Sequence, residues 1–509
     1  MPGAAARRRQ ETLLLPLGTF SVAAGGRTAA ALGRAAVLAP SFRRCVVLTF
    51  NHRPDYDEIA AAWWERLDIP ARVEHRNLYA WLAGEQLAPP APPRPFVPDP
   101  DLQRRRKGLL WLRRAEDGSV VQRFTVREDG TLQSVRHDVD GRGVRWESFD
   151  PAGRRHTVRY APDTDGTVRV DRLTPSGRVY VTELRTEGRV LLRLPGLEGR
   201  TAGSDGEVVP HGEMVERWIA VLMAELAPVV HVLDDLRYVE PVLRVDPAGR
   251  VVATLHSNHT EPGTTHAHAY ARLALDRLDR LTVVTLTRQQ LGDLQALYGR
   301  DAPILLAPHA VAPRGERRRP RAWLRDLVRR PPTVVVATRL VGVKRLDHLL
   351  RAFALVQARV PRARLVIWGD GTEAEPLQAL SKELGLRKVR FAGHTTEPVA
   401  ALRRAQASAS TSEREGFGLA TAEALASGVP VVAYDYRYGP RDLIRPGVNG
   451  YLVPDGDVAA LADRLAHLLE HPRRARLMGA AATTVRRRFS VRRHRRAWLR
   501  AIDRTRVRP

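Results

Sequence analysis

Six turn signals, each carrying a glycine, recur through one stretch of the chain. "REDGT", "DVDGRG", "DPAGR", "DTDGT", "TPSGR" and "RTEGR" place Gly130, Gly141, Gly153, Gly166, Gly177 and Gly188 at intervals of 11, 12, 13, 11 and 11 residues. Between them run "VVQRFTV", "TVRYA" and "VYVTELR", which alternate apolar and polar residues with period two. Turns at hairpin spacing joined by such segments predict an antiparallel meander over about 95–205. The segment before it, "LAPPAPPRPFVPDPD", continues neither helix nor sheet because proline lacks the amide donor, so it marks a boundary. A meander leaves edge strands open, which points to pairing with another surface, a second copy of the module included.

The flanks read differently. "LLLPLGTF", the glycine turn and alanine-rich helix of "AAGGRTAAALGRAAVLA", "RRCVVLTF" and "DEIAAAWWERLD" give strand, helix, strand and helix. The alternation stops at the meander and resumes with "HGEMVERWIAVLMAELAPVVHVLDD", so the meander is an insertion. Strand "VVATLH", a helix over Ala267–Arg280, strand "LTVVTLT", helix "RQQLGDLQALYG" and strand "PILLAPHAV" follow. After the basic linker Ala312–Pro332, a second series has strands "TVVVATRL", "ARLVIWGDG", "VRFAGH", "QASASTS" and "PVVAYDY". This divides the chain into a first α/β part at 1–94, the insertion at 95–205, a second α/β part at 206–312, a second α/β domain at 313–475 and a basic helix at 476–509. Two α/β domains of this kind bind ligands at the carboxyl ends of their strands, in a cleft between two parallel sheets.

Composition narrows the class. With 44% hydrophobic residues over 509 positions the chain is globular, and no apolar run reaches the length of a bilayer span. The patch after the N-terminal arginines is short and broken by proline, so it reads as a first strand rather than a signal peptide. The single cysteine, Cys45, permits no internal disulfide and fits the cytoplasm. The net charge is +26. From Arg473 to Pro509 there are fourteen arginines against one acid, Asp503. Such a bias fits an anionic partner, a polymer or lipid headgroups, and equally a solvated face in a chain with only four lysines.

The chemistry concentrates in the second α/β series. Arg339 and Lys344 in "ATRLVGVKRLDHLL" follow a strand, where two cations neutralise a diphosphate and stabilise the charge that grows as it leaves. In "SEREGFGLATAEALASGVPVVAYD", Glu415 and Glu423 lie on either side of a Gly-Phe-Gly turn. The turn opens a helix from about Gly418 to Gly428, whose first amides favour a phosphate or a sugar oxygen. Carboxylates beside a phosphate site repel it unless they grip hydroxyls, so the pair reads as one contact to a sugar and one to a ribose. His256 and His259 in "VVATLHSNHT" follow another strand; with His266 and His268 they match no standard metal-finger spacing. Asp-x-Asp pairs begin at Asp55, Asp99, Asp138, Asp163 and Asp455 and read as chance, the last three as turn residues.

"ATRLVGVKRLDHLL", "VIWGDGTE", "GHT" and the Glu-x7-Glu of "EGFGLATAE" resemble the retaining glycosyltransferases of family 4, whose fold is GT-B: α/β, two Rossmann-like domains facing a cleft. Tyr438-Gly439-Pro440 in "YDYRYGPRDLIRPGVNGYLV", together with the β-rich insertion, is similar to the poly(glycerol-phosphate) and poly(ribitol-phosphate) α-glycosyltransferases of teichoic acid. The resemblance implies a hexose moved from UDP-glucose or UDP-GlcNAc to an anionic polyol-phosphate polymer. It implies Arg339 and Lys344 on the diphosphate, Glu415 on the sugar and Glu423 on the ribose. Gly369 and the amides of Phe417, Gly418 and Leu419 would approach the donor, with Gly25 and Gly26 near the diphosphate. One of His256 and His259 would stand near the acceptor and the sugar. No metal and no cofactor beyond the nucleotide-sugar co-substrate are expected, and no nucleic acid. A homo-oligomer through the insertion and a cytoplasmic location at the inner membrane face follow from the same likeness. At the chain end, "FSVRRHRRAWLRAIDRTRVRP" reads as a helix with Ser490 as its cap and Val491, Trp498 and Ile502 as one apolar stripe. Rival readings are a Ser/Thr-rich protein or glycolipid acceptor and, from another class, a basic polyanion-binding scaffold.

Overall fold

A computed structural model describes residues 3–21, 26–84, 87, 91–105, 109–194, 207–261, 267–311, 331–395, 398–402 and 405–505. Gly25, His266 and most of the linker after Val311 lie outside the described residues. The chain folds as two compact units: Met1–His231 with Arg237–Gly249, and Val232–Leu236 with Arg250–Val507.

In the first unit the strand Thr12–Gly18 is buried along its whole length. Its leucine-rich sequence suits a parallel strand covered on both faces. It pairs in parallel with Arg44–Thr49 on one side and with the strand that starts at Val229 on the other. Helices Gly26–Leu38, Tyr56–Leu67 and His211–Leu226 belong to this α/β part. A further parallel strand, Val73–Asn77, was not marked by hydrophobic pattern, because "VEHRN" has one apolar residue. It ends at Asn77, which caps the following helix by accepting from the Ala80 amide at 3.0 Å.

The insertion is a ten-stranded antiparallel sheet running from Gln103–Arg105 to Glu207–Pro210, each strand bonded to its neighbour in sequence. All six foreseen glycines sit in its hairpin turns with φ between 73° and 88°, and Gly118 makes a seventh at 80°. These left-handed conformations are open to glycine at little cost. The sheet matches arginine with acid. Asp138 is clamped by Arg123 and Arg136, Glu147 by Arg145 and Arg155, and Glu183 by Arg172 and Arg185. Burial raises the Glu183 carboxyl, but the two guanidiniums outweigh it and hold the group below its ordinary range. The Asp-x-Asp at Asp99 is likewise engaged structurally: Asp99 and Asp101 both bind Arg113.

Within the second unit, Arg250–Thr254, Thr282–Thr285 and Ile304–Leu306 pair in parallel. So do Thr333–Ala337, Arg364–Trp368 and Val389–Phe391, and separately Ser408–Ser410, Val431–Tyr434 and Gly450–Val453. A parallel bridge from Val334 to Ala407 joins the latter two groups. The strand Gly450–Val453 escaped the sequence reading. Its first residue crosses so close to Val431 that a Cβ would lie 2.1 Å from that carbonyl oxygen.

The final helix, Val491–Arg504, is capped by Ser490 as expected. Its buried stripe is His494, Ala497, Trp498, Ala501 and Ile502, whereas Val491 is 41% exposed. Val491 was therefore misassigned: the packing face follows the i, i+3, i+4, i+7 positions from His494. The helix lies on Arg250–Thr254 and Thr282–Thr285, and the buried Arg250 guanidinium donates to Thr505 Oγ1 at 3.1 Å and to the Ile502 carbonyl. Among the described residues no helix is long and apolar enough to cross a membrane.

In the first unit His52 stacks on His156 of the insertion, ring centroids 5.7 Å apart. Burial, with Arg172 nearby, lowers both imidazoles, His156 to about 4. A histidine lowered on folding contributes fully above its unfolded pKa and loses that stability as pH falls toward the folded value. Acidification from pH 7.5 to 5 is therefore expected to remove about 2 kcal/mol through His156. Urea unfolding at both pH values checks this. His156→Gln should lose distinctly less stability than wild type over that interval, and equal losses would show that His156 is not the group responsible.

Candidate functional site

The site is assembled inside the second unit by loops that leave the carboxyl ends of its strands. After Thr333–Ala337 the chain passes Arg339 and makes a short 3-10 turn, Gly342–Lys344. This loop is fixed by the loop after Arg364–Trp368: the Leu340 amide donates to the Asp370 carbonyl and the Thr338 amide to the Trp368 carbonyl, both at 2.9 Å. Gly369 is required there, because a Cβ would stand 1.8 Å from the Thr338 carbonyl oxygen. Gly369 thus holds the Arg339 loop in place through its backbone. Arg339 itself is exposed.

Lys344 turns inward, its side chain 12% exposed, and its ammonium meets Glu415 Oε1. Ser412 Oγ donates to the same oxygen at 3.0 Å. The loop backbone is tied on both sides. The Glu413 amide donates to the Val343 carbonyl, Thr411 Oγ1 to the Lys344 carbonyl, and the Glu415 amide to the Arg437 carbonyl. Asp455 pairs with Arg345, and Asp457 caps the helix Val458–Glu470.

Gly416 is the closest approach. A Cβ there would fall 2.0 Å from the His256 carbonyl oxygen, so glycine alone lets residues 415–417 lie against His256 and Ser257. Gly418, at φ 85°, then opens the helix Leu419–Ala426, slightly shorter than the expected span to Gly428. The first amides of a helix lack intrahelical acceptors and carry a partial positive charge, which makes this end an anion seat. Leu419 is its first residue, and Glu423 lies in its second turn, half-buried.

The two histidines that the sequence left undecided stand in different surroundings. His256 is partly exposed, and its Nε2 meets Asp234, a buried carboxylate. Its ring stacks on His309 with centroids 5.8 Å apart, and His309 meets Phe417 edge-on at 5.5 Å. His259 is 1% exposed and lies parallel to Tyr438 at 5.8 Å. Burial lowers the His259 imidazole to about 4, so it is neutral. Tyr438 donates to Asp293 at 2.8 Å; burial first, and then that bond, push its phenol well above the usual range. Gly439 (φ 113°) is needed because a Cβ would lie 2.1 Å from the Phe417 carbonyl oxygen.

Sequence reasoning missed Asp234, His309, Asp293 and the structural use of Tyr438. A signal existed for two of them: Asp234 follows the buried strand that starts at Val229, and His309 follows Ile304–Leu306, the same position that singled out His256. Gly26 begins the helix Gly26–Leu38 of the first unit and is exposed. His268 does not join His256 and His259 as a ligand. Its Nδ1 accepts from the Ala271 amide at 3.0 Å and caps a helix.

Residues 325–485 match the family model described as "Glycosyl transferases group 1", and that segment is a glycosyltransferase domain. The chain is 28% identical over 273 residues to the poly(glycerol-phosphate) alpha-glucosyltransferase of Bacillus subtilis (strain 168), covering 52% of this chain. The chain spans only 39% of that relative's length. It is 24% identical over 379 residues to the GtfA subunit of the UDP-N-acetylglucosamine–peptide N-acetylglucosaminyltransferase of Streptococcus gordonii, covering 70% of this chain and 72% of that one. A crystal structure of an S. aureus TarM mutant in complex with fondaparinux, alpha-GlcNAc-glycerol and UDP superposes with a TM-score of 0.79. It is 18% identical and covers 97% of this chain and 99% of its own. The fold is GT-B, with an antiparallel sheet added to the parallel α/β sheets.

Gly416→Ala is expected to push residues 415–417 off His256 and to lower the thermal midpoint by several degrees, since a methyl cannot fit a 2.0 Å gap. Gly342→Ala, which meets nothing within 4 Å, is the control. Equal midpoints for the two variants would show that the close contact is absent.

Proposed function

We propose that this protein is a retaining, family 4 glycosyltransferase that moves a hexose from a UDP-sugar to a hydroxyl of an anionic polyol-phosphate polymer. One observation carries the reading. Lys344, Glu415 and an Asp234-bound His256 are brought into one neighbourhood by the Gly416 contact, at the mouth of a glycine-opened helix. A cation beside that helix end suits a diphosphate. With Lys344 and Ser412 both bonded to Oε1, the Glu415 carboxylate turns its Oε2 toward a sugar hydroxyl.

In this reading residues 313–475 hold the donor. Arg339 and Lys344 neutralise the diphosphate with the helix amides around Phe417, Gly418 and Leu419; Glu415 grips the sugar and Glu423 the ribose. His256, rather than the buried His259, faces the sugar and acceptor, with Asp234 fixing its ring. The acceptor hydroxyl attacks C1 from the face that UDP leaves. The C1–O bond to the diphosphate breaks with its electron pair going to UDP, the new C1–O bond forms, and the hydroxyl proton passes to the departing phosphate oxygen. Charge neutralisation by side chains and amides leaves no task for a metal. Self-association through the edge strands of the insertion and work at the cytoplasmic face of a membrane complete the proposal. A second reading, a protein acceptor with the same donor chemistry, is supported by the GtfA relative, which aligns over 72% of its own length.

UDP release from UDP-glucose and UDP-GlcNAc, with and without poly(glycerol phosphate) or a Ser/Thr-rich protein, tests these assignments. Lys344→Ala and Glu415→Gln are each expected to cut turnover by about a hundredfold or more. Turnover within about threefold of wild type in both would remove the proposed site. Transfer to the protein but not to the polymer would replace the first acceptor by the second.

A further inference from the structure

The arginines of this chain are not distributed like its acids. In the insertion many of them sit on carboxylates: Asp138, Glu147 and Glu183 each take two, and Asp150 and Asp171 take Arg154 and Arg169. Near the end of the chain the pattern breaks. Fourteen arginines from Arg473 onward face a single acid, Asp503, although arginine-rich coding alone would remove lysines and not acids.

The final helix arranges part of this excess in a line. With His494, Ala497, Trp498, Ala501 and Ile502 buried, Arg492, Arg496 and Arg500 fall on the opposite side, and all three are exposed. They recur every fourth residue, about 6 Å apart along the axis, and so stand one above another. Among the described residues none of the three forms an ion pair with a carboxylate, and the one acid on that side of the helix, Asp503, stands at its end, three residues beyond Arg500. Like charges at this spacing oppose one another and weaken a helix. The arrangement is explained if a counter-charge outside the chain completes it. Three guanidiniums in a row suit a linear series of phosphates, which each fork binds through two N–H groups. A bilayer would call for large apolar side chains on the same face, and between the arginines there is only Leu499, half-buried.

We infer that the outer face of the helix Val491–Arg504 is a docking strip for a linear phosphodiester polymer, separate from the residues assigned to the transfer step. The inference deepens the proposed function and rests on its anionic-polymer reading: the strip holds the chain whose hydroxyls are glycosylated.

The test reads binding without turnover. Fluorescently labelled poly(glycerol phosphate) is titrated with wild type and with the triple variants Arg492→Gln/Arg496→Gln/Arg500→Gln and Arg492→Glu/Arg496→Glu/Arg500→Glu, at two salt concentrations and without donor. Roughly tenfold weaker binding is expected for the glutamine triple, more for the glutamate triple, with a shallower dependence on salt in both. In the transfer assay KM for the polymer should rise while kcat, and turnover on a single glycerol-phosphate unit, stay at wild-type values. Unchanged polymer affinity in both triples would overturn the inference. So would unchanged polymer affinity with lost sedimentation on phosphatidylglycerol vesicles, which would assign the strip to a membrane. If wild type binds the polymer through the strip but transfers no sugar to it, the acceptor assignment falls while the docking strip stands.

Discussion

The site depends on one backbone contact. Where residue 416 meets the His256 carbonyl there is room for a hydrogen and for nothing larger. Because that contact is made by main chain on main chain, it fixes the peptide on both sides, not merely a side-chain rotamer. Glu415 emerges on one side of it, within reach of Lys344, and Phe417 on the other, against His309. Two further steric absences repeat the device at Gly439 and Gly369, each under a carbonyl oxygen. The loops of the candidate site are thus set by what their glycines lack. Flexible charged side chains then add function to a backbone already held.

Local chemistry was legible in the sequence wherever a residue's own conformation carried the information. A glycine in a tight turn needs positive φ whatever surrounds it, so six hairpins of the insertion could be placed from their glycines, though not the one at Gly118. The glycine opening of the Leu419–Ala426 helix and the Ser490 cap are of the same kind. What stayed hidden depends on distant partners. Val73–Asn77 is a strand because Arg44–Thr49 offers it a ladder, and Gly450–Val453 because Val431–Tyr434 does. Neither displays an apolar alternation of its own.

The site shows the same limit. Lys344 and Glu415 were visible from their motifs, but the choice between His256 and His259 turns on partners far off in the chain. Asp234 takes one imidazole; the other lies buried against the ring of Tyr438, whose hydroxyl donates to Asp293. Burial that lowers His259 to about 4 keeps it from carrying a proton at neutral pH, whereas His256 remains partly open to solvent. Spacing along one strand end cannot distinguish them, because both residues leave the same strand.

The sequential order of the insertion's ten strands bears on how the chain reaches this structure. Each strand there finds its partner a few residues away, so the sheet forms from local hairpins at low contact order. The strand Thr12–Gly18, by contrast, needs Val229–His231, more than two hundred residues later. A long unstructured loop makes that encounter slow and entropically costly. A hairpin sheet that zips up early, while the chain is still emerging during synthesis, shortens the effective loop and brings the two halves of the nucleotide-fold sheet together sooner.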